Sequence, residues 1–180
     1  MSIVASRVFQ ALFFFVAFLV LTDAAHSQDV RVKEEHGDWQ VRCAAEAGGG
    51  KLCVLYQLLV DGNGNTVAEI TIRGPLSEQD LGARAILTTP LETLLTKQLT
   101  LRIGRAEPKR YPFTFCSKEG CFVTVALTEH DIGSMRAAAK AQVTIIPAAA
   151  PDREVVLAVS LQGFTAGYAA IVAANSDPAR

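Results

Sequence analysis

The chain has 180 residues, half of them hydrophobic and 19% charged, which supplies enough apolar surface for one buried core and excludes intrinsic disorder. Seventeen Lys and Arg stand against eighteen Asp and Glu, a formal charge of −1. No overall basic field therefore exists to hold nucleic acid or an anionic membrane.

Residues 1–27 carry the three parts of a secretory signal: a short start with Arg7, an apolar stretch from Val8 to Leu21 broken only by Gln10, and the polar exit Ala25-His26-Ser27. About fourteen apolar residues fall short of the roughly twenty that a spanning helix needs. The segment reads as a cleaved signal peptide, leaving residues 28–180 as one domain, periplasmic or secreted, with no integral membrane span.

From Asp38 onward the apolar residues follow a period of two, interrupted by Gly, Pro, Asn and Asp clusters. Trp39, Val41 and Cys43 share one side of a first, half-buried strand. Leu52 to Val60 is apolar on both faces and is expected to be a central strand covered on both sides. Asp61-Gly62-Asn63-Gly64-Asn65 makes a turn, and Ala68, Ile70 and Ile72 alternate with polar residues on the returning strand. Further strands are expected at Arg84 to Thr88, Leu99 to Ile103, Tyr111 to Cys116, Cys121 to Leu127, Val143 to Ile146 and Val155 to Leu161. Thr128 can cap a helix in which Asp131 completes the capping pattern and Ile132, Met135 and Ala139 share a face. A second helix follows Gly163, with Phe164, Tyr168 and Ile171 at helical spacing. The tail Asn175 to Arg180 is expected to fray. The pattern is all-β, an antiparallel sandwich with one or two short covering helices.

Four cysteines form two local pairs, Cys43 with Cys53 and Cys116 with Cys121. An even count in an exported chain reads as disulfides. Three pairings are open to four cysteines, and the local one is favoured because each loop carries turn residues, Gly48-Gly49-Gly50 in one and Gly120 in the other. On the chain-entropy argument the longer loop contributes roughly 2.5–3 kcal/mol and the shorter roughly 2. A four-cysteine zinc site or a catalytic dithiol would need C-x-x-C spacing, which is absent.

Signals for catalysis are thin. His36 and His130 each lie near an acid, Asp38 and Asp131, but neither stands in H-E-x-x-H, and no G-x-S-x-G, G-x-G-x-x-G or P-loop pattern occurs. Asp61, Asn63 and Asn65 match the first positions of a calcium loop, but Thr66 and Ile72 occupy the positions that require Gly and Glu. No catalytic residue, cofactor or metal is expected. A basic stretch remains: Arg102, Arg105, Lys109 and Arg110, with Lys118 in the nearby cysteine loop. It offers a partner-binding face, or an edge protected against strand pairing, to which Pro108 and Pro112 are suited.

The segments Gly37-Asp38-Trp39-Gln40-Val41-Arg42-Cys43, Cys53-Val54-Leu55, Phe115-Cys116 with Gly120-Cys121, and Ser160-Leu161-Gln162-Gly163-Phe164 resemble, in order and spacing, the invasion-associated locus B family of bacterial exported proteins. The resemblance covers almost the whole mature chain. It implies an immunoglobulin-like sandwich in the periplasm or at the envelope of a Gram-negative bacterium, and it carries over no catalytic residues. His36 departs from it, since members often have an aromatic residue before G-D-W. The expected function is a non-enzymatic one, contact with an envelope or host-cell protein. The alternative is a periplasmic chaperone or assembly factor that accepts a client strand on an open edge.

Overall fold

The computed structural model describes residues 31–46, 50–75 and 82–176. The expected signal peptide, residues 1–27, and the end of the expected frayed tail, 177–180, lie outside the described residues. Within them run β1 (Arg31–His36), β2 (Trp39–Ala45), β3 (Lys51–Val60), β4 (Thr66–Arg73), β5 (Ala83–Thr89), β6 (Leu99–Ile103), β7 (Lys109–Tyr111), β8 (Phe115–Ser117), β9 (Gly120–Leu127), helix α1 (Glu129–Ala137), β10 (Lys140–Ile145), β11 (Val155–Ser160) and helix α2 (Phe164–Ser176).

Every strand pair is antiparallel. The strand order is β7-β6-β10-β11-β3-β4-β5-β9-β8, and β1 and β2 branch from β3. One side of β3 is thus divided between two neighbours. β2 pairs with it from Lys51 to Tyr56, and β11 meets it only at Val60, opposite Ala158. The sheet forks at this point and folds over itself. Alternate residues from both branches, among them Leu55, Ile70, Leu87, Val123, Leu101, Val143 and Leu157, are buried in one contiguous cluster. The architecture is a mostly antiparallel β-sandwich with two helices.

Helix α2 lies against β1, β2 and β3. Trp39 and Phe164 are fully buried, with ring centroids 5.6 Å apart in an edge-to-face arrangement. Gly167 allows the helix to approach so closely that a Cβ there would lie 2.6 Å from Leu55 Cδ1. At the head of α2, Gly163 has φ +84°, and a Cβ would fall 2.0 Å from the carbonyl oxygen of His36. Only glycine fits that conformation and that gap. Helix α1 begins as its sequence dictates: the Thr128 hydroxyl accepts from Asp131 N at 3.1 Å while Asp131 Oδ2 accepts from Thr128 N at 3.1 Å, a reciprocal cap. Lys109 Nζ adds an ion pair to the same carboxylate at 2.7 Å.

The structure corrects five expectations. Tyr111 to Cys116 is not one strand: β7 ends at Tyr111 on one edge and β8 starts at Phe115 on the other, because Pro112 between them cannot donate to a ladder. β3 is not covered on both sides, since Leu58 is 50% and Val60 37% exposed. Ala139 is not on the α1 face but exposed beyond its end; its carbonyl accepts from Leu161 N at 3.1 Å, which draws the chain out into β10. Asn175 does not fray, because its carboxamide bonds both the N–H and the carbonyl of Cys53 at 2.8 Å. β1 lies upstream of the first expected strand; its residues are largely exposed, so no apolar alternation marks it.

Two outcomes follow from these contacts. Gly163→Ala should cost about 2–3 kcal/mol in urea unfolding, since the added Cβ meets backbone in a strained conformation. Burial raises the Asp131 pKa, but the hydrogen bonds from Lys109 and Thr128 together bring it below the ordinary value. Its contribution is therefore complete above the unfolded carboxyl range near 4 and disappears as pH falls through the lower folded value. Asp131→Asn should lose about 1–2 kcal/mol at neutral pH, the scale of a lost helix cap, and show a flatter stability profile in acid.

Candidate functional site

Where β2 and β11 part from β3, the outer surface of the sandwich is notched. The notch has a volume of about 450 Å³, and its floor is formed by Tyr56, Gln57, Leu58 and Val60 of β3, with walls from β2 and from Ala158 and Ser160 of β11. The alternation of β3 produces this floor: Leu55, Gln57 and Leu59 point inward, while Leu58 and Val60 face out.

Gln57 is the only polar residue between Leu52 and Val60, and it is buried. Its Nε2 donates to the carbonyls of Asp38 at 3.2 Å and Ser160 at 3.1 Å, and its Oε1 accepts from Ser160 N at 2.9 Å. The carboxamide thus takes the place of strand pairing where the two neighbours separate. Trp39 Nε1 donates to the same Ser160 carbonyl at 2.9 Å. Asp38 N donates to the Gln162 carbonyl at 3.2 Å, and the Ser160 hydroxyl donates to Asp38 Oδ2. The G-D-W and S-L-Q-G-F segments are therefore two halves of one joint.

On the exposed side a second set of contacts fixes the surface. The Arg42 guanidinium lies 3.3 Å from the Tyr56 ring centroid, a cation–π contact. It donates through Nη2 to Gln40 Oε1 at 2.8 Å, and Gln40 Nε2 donates to Glu35 at 3.1 Å. Tyr56 Oη donates to Glu69 Oε2 at 2.8 Å. Burial pushes the Tyr56 phenol above its usual pKa, and the Glu69 hydrogen bond and charge push it further, against a smaller opposing effect of Arg42. The result is a fixed aromatic, arginine and carboxylate array beside exposed Leu58 and Val60. Such an arrangement suits recognition: rigid Tyr and Arg side chains lose little entropy on binding, and the leucine and valine gain by leaving water.

The sequence-predicted positions fall elsewhere. Cys43 bonds Cys53 and Cys116 bonds Cys121, with Cα separations of 4.1 and 4.0 Å, each joining residues directly opposite on adjacent strands. The five basic residues are not one patch. Arg102 and Arg110 share the outer side of β6 and β7 around a hollow that also contains Glu154. Arg105 sits in the connecting turn, Lys109 is held by Asp131, and Lys118 lies in the β8–β9 turn, 3.7 Å from Glu119. β7 does end the strand order, which is the edge position that Pro108 and Pro112 suggest. His36 contacts Glu34 at 3.1 Å, and His130 is exposed beside Asp131, whose carboxylate is occupied by Lys109 and Thr128. The Asp61 carboxylate accepts from Asn63 N, Asn65 N and Asn65 Nδ2 at 2.8–3.1 Å, which closes the hairpin turn. Among the described residues no group of three or more His, Cys, Asp or Glu is placed to hold a metal.

Sequence reasoning missed the notch. A single amide inside an apolar run was the available signal, because a buried Gln demands partners; the outward turn of Leu58 and Val60 had none, since an apolar run does not show which face is uncovered.

The family model for invasion associated locus B protein matches residues 39–172. The crystal structure of invasion associated protein b from Bartonella henselae is similar in fold, with a TM-score of 0.65 at 20% identity, covering 81% of this chain and 98% of that one. No curated protein matches the sequence.

The Tyr56 array has a pH signature. An unfolded phenol ionises near pH 10, below the raised value of the folded one, so above pH 10 the folded state holds a proton that the unfolded state has lost. Stability should fall as pH rises through that window. In ultraviolet titration, the difference between the parent and Tyr56→Phe should show a late-ionising phenol, and Glu69→Gln should move its midpoint downward.

Proposed function

Since the chain belongs to the invasion associated locus B family, we propose that it is an exported, non-enzymatic envelope protein that acts by binding another protein through the notch on β3. The observation that carries this reading is the solvent-facing pair Leu58 and Val60 beside the Arg42–Tyr56 stack, an apolar surface flanked by side chains whose positions are already fixed. Two disulfides support an oxidising compartment. No helix among the described residues is long and apolar enough to cross a membrane. The partner is an envelope protein or, in a host-associated bacterium, a host-cell protein.

A second reading is a chaperone or assembly factor for envelope proteins. It draws support from β8, which ends the strand order and has no strand on its outer side among the described residues, so a client strand could extend the sheet there.

The two are separated by site-specific photocrosslinking in intact cells. A photoreactive phenylalanine at Leu58 should yield a discrete adduct that Arg42→Ala reduces about tenfold, the size expected for an interface hot spot, while the same probe at Glu129 yields none. Adducts from Thr114 or Phe115 instead of Leu58 would favour the chaperone reading. Equal capture from all positions would defeat both.

A further inference from the structure

The two disulfides differ in exposure, in packing and in the length of chain they close. Cys53 is fully buried and Cys43 nearly so; β3 and α2 enclose them, and Asn175 holds the Cys53 backbone on both its donor and its acceptor. Cys121 is buried, but Cys116 is exposed, on a three-residue strand at the end of the sheet. Apart from the bridged pair, β8 is joined to its neighbour by two residue pairs, by Thr114 N donating to the Phe122 carbonyl at 2.8 Å, and by the stacked rings of Phe115 and Phe122, 4.7 Å apart. Phe115 is itself 57% exposed. The separation across this bridge is 5 residues, against 10 for the other, so opening it restores less chain freedom to the unfolded state and costs the fold less. β9 is held on its other side by seven residue pairs with β5, ending at Thr89 opposite Cys121, which leaves the β8 side as the one free to lift.

We propose that Cys116–Cys121 is a thiol-exchange site, a substrate for protein dithiols, while Cys43–Cys53 is a permanent structural bridge. A thiolate of the dithiol attacks the sulfur of Cys116, the exposed residue of the pair, and forms a mixed disulfide. The Cys116–Cys121 bond breaks, and the Cys121 sulfur leaves as a thiolate and takes up a proton. The second thiol of the donor then attacks its own sulfur in the mixed disulfide and releases Cys116, which is protonated in turn. Two electrons and two protons pass to the bridge, and the donor ends as a disulfide. With the bridge open, β8 can leave and the edge of β9 at Cys121 and Phe122 becomes available to another strand. This inference is independent of the notch.

The test uses the oxidised mature protein, dithiothreitol without denaturant at pH 8, timed quenching with iodoacetamide, and mass spectrometry of the digest. Cys116 and Cys121 should be labelled at least tenfold faster than Cys43 and Cys53, with the circular dichroism of the fold retained. Equal rates, the reverse order, or labelling only upon unfolding would overturn the proposal. Two variants locate the point of attack. In folded Cys121→Ser, the remaining Cys116 thiol should react with an aromatic disulfide reagent at least tenfold faster than Cys121 does in folded Cys116→Ser. Equal or inverted reactivity would also overturn it.

Discussion

One carboxamide allows a single strand to serve two layers. β3 exchanges one neighbour for another partway along its length, and at such a fork backbone groups that would pair within a regular sheet come apart. The Gln57 side chain restores the pairing by bonding to Asp38 on one branch and Ser160 on the other. An apolar residue of similar size would take this partner from the Asp38 carbonyl and the Ser160 N–H, while the Ser160 carbonyl would keep Trp39 Nε1, and each group left unpaired and out of water costs about 1–3 kcal/mol. The Trp39–Phe164 contact, the close approach at Gly163 and the outer notch all lie at or beside this junction of the two branches.

The family motif acquires a physical meaning from this joint. Gly37, Asp38 and Trp39 belong to the turn and start of one strand; Ser160, Gln162 and Gly163 belong to the end of another and the entry to a helix. They touch because the glycines remove the Cβ atoms that would hold the two turns apart. Each of these residues has a structural partner in the joint itself.

Much of this fold was legible in the sequence, and the parts that were not share a physical cause. Period-two alternation located β2, β4, β5, β6, β9 and β11, the Thr128 cap located α1, and short cysteine spacing gave both bridges. These are local signals, set by neighbours in sequence. What escaped depends on distant partners. The exposure of Leu58 follows from where β11 departs, the split between β7 and β8 sends adjacent residues to opposite edges, and Asn175 is ordered by a strand far away in the chain. The notch was illegible for the same reason, because its walls come from β2 and β11 and neither carries a motif for binding. The basic stretch shows the opposite case: its edge position was legible from the prolines, but closeness in sequence did not become one surface, since successive residues of a strand face opposite sides and the chain changes edge after Tyr111.

The long reach of the joint also governs when the fold can close. Trp39 bonds a carbonyl 121 residues away, and Cys53 is clamped by a side chain 122 residues further along. The first strands cannot reach their final packing until residues beyond 160 have been made, and loop closure over such distances is slow. The disulfide at Cys43 and Cys53, by contrast, needs only its own hairpin. Until α2 packs, the first strands therefore lack the far side of their own interior, and the Cys43–Cys53 bridge is a tie that nearby chain alone can make.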